Sequence, residues 1–180
     1  MRTTIVTLLA ACGLAANAAA GACDLLSEAE AVKLVGAALG AVEKSESKPD
    51  ATNGHDYTTV CGYFPKGYDL KTAEGPPDAG ILVTLHTMPD AAAAKRYYEG
   101  VMGMLKENHE PVKPVSGIGD GAYLHPFKMP GSPVQTTTLT FLKANVMAMV
   151  QVWKKAAAAP DDIARAASLQ AAGKLHLPER

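Results

Sequence analysis

The spacing of apolar residues predicts strands through the middle and the end of the chain. Residues 80–87 alternate between apolar and more polar positions, which is the period of two expected of a strand with one buried face. By the same pattern, the other strands are predicted at 58–64, from Ala122 onward, and at 135–142 and 146–153. The last two form a hairpin around the turn Lys143-Ala144-Asn145.

A helical period predicts the first helix, which begins at Ser27. Ser27 and Glu30 have the spacing of a capping box, in which each side chain bonds the backbone amide of the other residue. An apolar stripe follows at Val32, Val35 and Leu39. Gly40 then suits the end of a helix, so we expect the helix to end there.

Two further helices are predicted by their starting residues. Pro89 and Asp90 open the second helix, because proline and aspartate both suit a first helical turn. Its apolar stripe consists of Ala94, Tyr97, Val101, Met104 and Leu105. The third helix begins at Pro160 and runs to about Lys174. Residues 44–56 and 69–80 are polar or proline-rich and are expected to be loops.

These elements predict an α+β fold with the order α-β-β-α-β-β-β-α. Strands outnumber helices, and the best-defined pair is a hairpin, so we expect an antiparallel sheet of about five strands. The helices would pack mainly on one face of that sheet. The length of 180 residues suits one domain, which we place at 21–180.

Strand parity assigns the side chains to the two faces of the predicted sheet. The face toward the helices is expected to carry Ile81, Val83, Leu85, Leu139, Phe141, Val146, Ala148, Val150 and Val152. The opposite face would carry Leu82, Thr84, His86, Thr136, Thr138, Thr140, Met147, Met149, Gln151 and Trp153.

The opposite face contains more large apolar side chains than a solvated sheet requires. We therefore regard part of it as a candidate interaction face, made of His86, Met147, Met149, Gln151 and Trp153. Either a long loop, 44–56 or 69–80, covers these residues, or they bind an apolar ligand or a partner.

The amino terminus has the pattern of an export signal. Arg2 precedes an apolar run, and Ala18-Ala19-Ala20 predicts cleavage after Ala20, so that 1–20 is a signal peptide and the mature chain begins at Gly21. In a second interpretation, Leu9 to Cys12 is a lipobox and Cys12 carries a lipid anchor. The protein is then periplasmic or secreted, or else a lipoprotein.

Export makes a disulfide the expected state of two of the three cysteines. Cys12 leaves with the signal peptide, and Cys23 and Cys61 remain as a pair in an oxidising compartment. Two buried free thiols are the weaker alternative. The bond would join the start of the first helix to the first strand.

Composition excludes several classes of partner. The formal net charge is −1 and the basic residues are scattered, so no nucleic-acid-binding surface is predicted. No segment after the signal peptide is long and apolar enough for a transmembrane helix.

No motif predicts catalysis, a metal or a cofactor. The five histidines lack the spacing of a zinc site. The glycine-rich segment 117–121 lacks the lysine of a phosphate-binding loop and precedes a strand, so it is expected to be a structural turn in which Asp120 bonds nearby amides. An enzyme would need a site assembled from distant residues, such as His86 and Asp120.

Several short motifs resemble those of bacterial exported and lipoprotein families of unknown function. The motifs are Cys23-Asp24-Leu25-Leu26, Leu39-Gly40, Cys61-Gly62-Tyr63 and the segment from Gly117 to Ala122. Some of these families adopt a PsbP-like α/β sandwich. The resemblance implies export, the disulfide and an antiparallel sheet, and it implies no established activity.

Together these features predict an exported protein of the cell envelope that binds without catalysis. Its partner would be an envelope protein or a small apolar ligand. The alternative is an envelope hydrolase.

Overall fold

A computed structural model describes residues 21–47, 57–128, 130–155 and 160–175 of the chain. The predicted signal peptide and Cys12 lie outside these residues. The helices are α1 (Ala22–Leu25), α2 (Glu28–Val35), α3 (Ala91–Glu107) and α4 (Pro160–Lys174). The strands are β1 (Ala41–Ser47), β2 (Tyr57–Phe64), β3 (Ala79–Thr87), β4 (Lys113–Val115), β5 (Gly121–Phe127), β6 (Val134–Lys143) and β7 (Val146–Lys155).

Within the described residues, seven strands form one antiparallel sheet in the order β1-β2-β3-β7-β6-β5-β4. The α+β class is as predicted, but the prediction of about five strands and of the order α-β-β-α-β-β-β-α is wrong. Two strands and the short helix α1 were missed. The predicted hairpin lies in the middle of the sheet as β6 and β7.

The two missed strands form the two edges of the sheet. β1 occupies part of the segment that was predicted to be a polar loop, and Lys44, Ser45 and Glu46 within it are exposed. β4 has only three residues, and Pro114 is the middle one. An edge strand needs a partner on one side only and can keep both faces polar, so an apolar alternation is not required there. The pattern that revealed the central strands is therefore absent at the edges.

The first predicted helix begins as expected and ends earlier. Ser27 Oγ accepts from the Glu30 amide at 3.3 Å, and Glu30 Oε2 accepts from the Ser27 amide at 2.8 Å, which confirms the capping box. The helix ends at Gly36, whose φ of 65° is left-handed, and not at Gly40. Either glycine could supply this conformation, and the chain uses the first one. Gly40 instead donates its amide to the Phe64 carbonyl beside β1.

The first face of the sheet, which packs against α1, α2 and α4, carries the main core. All nine residues assigned to this face by parity are buried and belong to one cluster with Leu25, Val35, Ala164 and Ala171 of the helices: Ile81, Val83, Leu85, Leu139, Phe141, Val146, Ala148, Val150 and Val152. This part of the sequence prediction is confirmed. The alanines of α4 let that helix approach the sheet closely.

Two lysines on the first face donate hydrogen bonds to backbone carbonyls at the carboxyl ends of helices. Lys143 Nζ donates to the carbonyls of Ala172 at 2.7 Å and Leu175 at 2.8 Å, at the end of α4. Lys154 Nζ donates to the Val35 carbonyl at the end of α2. A cation at this position bonds carbonyls that have no partner within the helix and also complements the helix dipole.

Cys23 of α1 and Cys61 of β2 form the predicted disulfide, with their Cα atoms 5.1 Å apart. Cys61 is buried in the main core, whereas Cys23 is partly exposed. The bond attaches α1 to the sheet. A helix of four residues has too few hydrogen bonds to hold itself together, so this attachment is what α1 needs.

The glycine-rich segment before β5 is a structural turn, as predicted, and its aspartate reaches further than expected. Asp120 Oδ2 accepts from the Ala144 amide at 2.8 Å, in the turn that joins the neighbouring strand β6 to β7. Gly119 has φ of 57°, and a Cβ atom there would lie 2.1 Å from the Leu142 carbonyl oxygen. The close approach of two backbones therefore requires glycine at this position.

Candidate functional site

The second face of the sheet is the one turned away from α1, α2 and α4. Register places Thr84 of β3 beside Met149 of β7, and Met149 beside Thr140 of β6. These side chains point away from the core because their neighbours along each strand point into it. The second face is covered in two places and partly open between them.

Helix α3 covers one end of the second face, so the helices do not all pack on one side. Asp90 caps it by accepting from the Ala93 amide at 2.7 Å. The contacts of α3 with the sheet include a buried cluster of Ala94 with Met88 and Leu142, the ring of Tyr97 at 5.8 Å from His86, and the ring of Tyr98 at 5.4 Å from Tyr123. All of them involve the first half of the helix.

An aromatic cluster covers the other end. The ring of Phe64 lies 5.7 Å from that of Trp153 and 5.2 Å from that of Tyr68. The ring of Phe64 lies over glycines of β2 and β3: a Cβ atom at Gly62 would be 2.5 Å from it, and one at Gly80 would be 2.8 Å away. The two glycines therefore make room for the cluster, and the segment after β2 supplies Tyr68 to close it.

Between α3 and the aromatic cluster lies a set of partly exposed side chains that we call the open strip. It consists of Val60, Leu82, Thr84, His125, Thr138, Met149 and Gln151. They form two adjacent rows across five strands, from β2 to β5. With neighbouring strands about 4.8 Å apart, the strip is roughly 19 Å long.

The open strip offers apolar surface and uncharged hydrogen-bonding groups side by side. Met149 and Leu82 provide the apolar part, while Thr84, Thr138 and Gln151 can both donate and accept. A hollow of about 350 Å³ adjoins the strip at Val60, between β1 and residues 69–71. The surface is shallow and extended, which suits an extended partner better than a small molecule that needs enclosure.

Several ionisable groups near the strip are hydrogen-bonded or have a raised pKa. His125 Nε2 lies 3.2 Å from Glu110 Oε2 at one end. His86 Nδ1 and Thr58 Oγ1 are hydrogen-bonded at 3.1 Å. Burial raises the pKa of Tyr98 to about 12, so this phenol stays protonated at neutral pH. None of these groups is an activated nucleophile or a base aimed at open space.

The residues of the predicted interaction face are separated by the covering elements. Met147 and Trp153 are buried, with 1% and 7% of their surface exposed. His86, Met149 and Gln151 remain partly exposed. The cover over Trp153 comes from Phe64 and Tyr68, next to the predicted loop 69–80, whereas the other end is covered by α3.

Sequence reasoning missed Val60 and His125, which extend the strip across β2 and β5. Parity could have found both, since Val60 pairs with Thr84 and His125 with Thr138. The face was assigned from β3, β6 and β7 alone because these strands had the clearest alternation.

The pair His86 and Asp120 cannot act together. His86 is on β3 and Asp120 precedes β5, with β7 and β6 between them. Three strand spacings amount to roughly 14 Å, far beyond a hydrogen bond. Among the described residues, no group of three or more His, Cys, Asp or Glu side chains could hold a metal ion. Every helix in that part of the chain is too short or too polar to span a bilayer.

No protein-family model and no curated protein matches this chain. The crystal structure of the extracellular domain of PknH from Mycobacterium tuberculosis is similar in fold, with a TM-score of 0.56 and 10% sequence identity. The similarity covers 84% of this chain and 92% of that domain. At this identity the likeness shows the fold alone. The resemblance to exported families of unknown function stays a prediction.

Proposed function

We propose that this chain is an exported binding module that recognises a protein segment through the open strip. The observation that carries the proposal is the strip itself, seven partly exposed side chains in two rows that combine apolar and hydrogen-bonding groups. Interaction sites have this mixture, whereas a solvated sheet face has no need of Met149.

Export is supported by two observations. Cys23 and Cys61 form a disulfide, a bond that is typical of oxidising compartments and rare in the cytosol. A protein of similar fold is the extracellular domain of a mycobacterial protein, PknH. We infer a periplasmic or secreted location, with cleavage after Ala20. The intact mass of exported material should correspond to a chain that begins at Gly21. A mass that shows an acylated Cys12 would instead identify the protein as a membrane-anchored lipoprotein.

The partner is best captured in place by photo-crosslinking. A photoreactive residue at Gln151, inside the strip, should form an adduct with one discrete envelope protein. The matched control is Gln170, an exposed glutamine on α4. Equal adducts from both positions, or none from Gln151, would contradict the proposal.

A variant that blocks the open strip tests whether the crosslinked partner binds there. Thr84→Arg places a large charged side chain in the middle of the strip and should abolish the Gln151 adduct. The fold is checked by the fluorescence of Trp153, which should remain blue-shifted and resistant to iodide because this side chain is buried. Co-purification of a small apolar molecule in place of a protein adduct would assign the strip to a ligand.

A further inference from the structure

The second half of α3 has an apolar face without a partner in the described part of the chain. Ala94 is the only residue of this 17-residue helix that is buried. Val101 and Leu105 are partly exposed, and 52% of the surface of Met104 is exposed. Val101 and Met104 line a groove along the helix, beside Arg96 and Gly100. Such a face on a surface helix is expected to pack against something.

Two opposite charges lie along one edge of this face, at similar distances on either side of its middle along the helix axis. Arg96 lies four residues before Gly100, and Glu107 lies three residues after Met104. At 100° per residue, these four residues fall within an arc of about 80° on the helix. Arg96 and Glu107 are exposed and form no ion pair with any described residue.

We propose that α3 pairs with α3 of a second copy of this chain in antiparallel orientation. The two-fold axis of this pair crosses the helices at the level of residues 101–102. Arg96 of each copy then lies opposite Glu107 of the other, with an offset of about 1.5 Å or less along the helix axis. Met104 of each copy then lies over Gly100 of the other. A parallel pair would oppose Arg96 to Arg96, so the charges select the antiparallel arrangement.

Gly100 fits this arrangement. No atom lies within 4 Å of the position that its Cβ would occupy, so nothing in the described residues requires glycine there. Glycine inside an exposed helix costs about 1 kcal/mol relative to alanine. A second helix that approaches closely gives this glycine a role. The space beside Gly100 of one copy receives the side chain of Met104 of the other copy.

One pair of helices buries less surface than the roughly 1,200 Å² of a stable complex, so the dimer is expected to be weak. Sedimentation equilibrium of the exported protein from about 10 μM to 1 mM should show a reversible monomer–dimer equilibrium. A monomer throughout this range overturns the proposal. Sedimentation of a monomeric chain with phosphatidylglycerol vesicles would assign the face to a membrane and overturns it as well.

Charge reversal identifies the interface. Arg96→Glu and Glu107→Arg should each weaken dimerisation by about tenfold or more, because two symmetric attractions become repulsions. The double variant Arg96→Glu/Glu107→Arg should restore it. Lys95→Glu, the same charge change about 100° away around the helix, is the control and should have little effect.

A steric variant tests the close approach separately. Gly100→Leu has open space for its side chain within the monomer and removes a poor helix former, so the fold should be kept or stabilised. It should nevertheless abolish the dimer. A dimer that survives Gly100→Leu, or that ignores the charge reversals, contradicts the antiparallel α3 pair.

Discussion

The two faces of the sheet are built from the same strands and differ in what lies over them. On the first face, α1, α2 and α4 cover a continuous apolar layer, and even its lysines bond helix carbonyls. On the second face, the cover that the described residues provide comes from the first half of α3 and from the cluster around Phe64. The first face therefore holds the main core, while the second leaves part of its surface uncovered.

The largest expected effect concerns the bond that fastens α1 to the first face. Replacing both Cys23 and Cys61 by alanine should lower the free energy of unfolding by about 4 kcal/mol, since the bond closes a long loop between residues 38 apart. Urea unfolding measures this loss. The reductant dithiothreitol should bring the unmodified protein to the same stability and leave the variant unchanged. Equal unfolding midpoints for the variant and the oxidised protein would show that α1 does not depend on this tether.

A pair of substitutions compares the two faces directly. Leu139 is fully buried on the first face, and its truncation to alanine should cost about 2–5 kcal/mol through lost packing and a cavity. Met149 is partly exposed on the second face, one strand away, and Met149→Ala should cost less than about 1 kcal/mol. Urea unfolding of the two variants gives both values. Similar losses would mean that the second face is as closed as the first.

The smallest effect concerns the ion pair that joins α2 to α4 over the first face. Hydrogen bonds from Lys174 and Ser27 lower the pKa of Glu30 from its usual 4.5 to about 2. The Glu30 carboxylate therefore binds a proton more readily in the unfolded chain than in the folded protein. The contribution of Glu30 is present above about pH 4.5 and is lost as the pH falls toward 2.

Glu30→Gln should flatten the stability profile in that pH window. The effect should stay below about 1 kcal/mol, because both side chains of the pair are partly exposed and screened by solvent. Glu99→Gln, which removes an exposed pair within α3, is the control. Urea unfolding from pH 2 to pH 7 measures the difference. A profile for Glu30→Gln that still falls like that of the unmodified chain would contradict the role of this carboxylate.

The sequence predicted the centre of the fold better than its margins, for a physical reason. Strands that bury one face must alternate, so β3, β6 and β7 and the nine residues of the first face followed from parity. β1 and β4 need no apolar side chains because they lie at the edges. Part of β1 was predicted to be a loop, and no element was predicted over β4. The helix end at Gly36 was missed because Gly40 satisfied the same rule four residues later.

The candidate site shows a different limit of sequence reasoning. Parity correctly put Met149, Gln151 and Trp153 on one face, but it does not say what lies above each residue. The burial of Trp153 depends on Phe64 and Tyr68, which are distant in sequence, and on glycines that admit the ring of Phe64. Such long-range packing leaves no local signal.

The two polar edges have a consequence for the behaviour of the protein at high concentration. An open sheet presents unpaired backbone groups at each side, which can recruit strands of other molecules and lead to aggregates. Here the outer strand on one side carries Lys44 and Glu46, and the one on the other side carries Lys113 and Pro114. Charge repulsion and the missing amide of proline both oppose such recruitment. Both edges therefore disfavour the edge-to-edge pairing of copies of this chain that leads to fibrils.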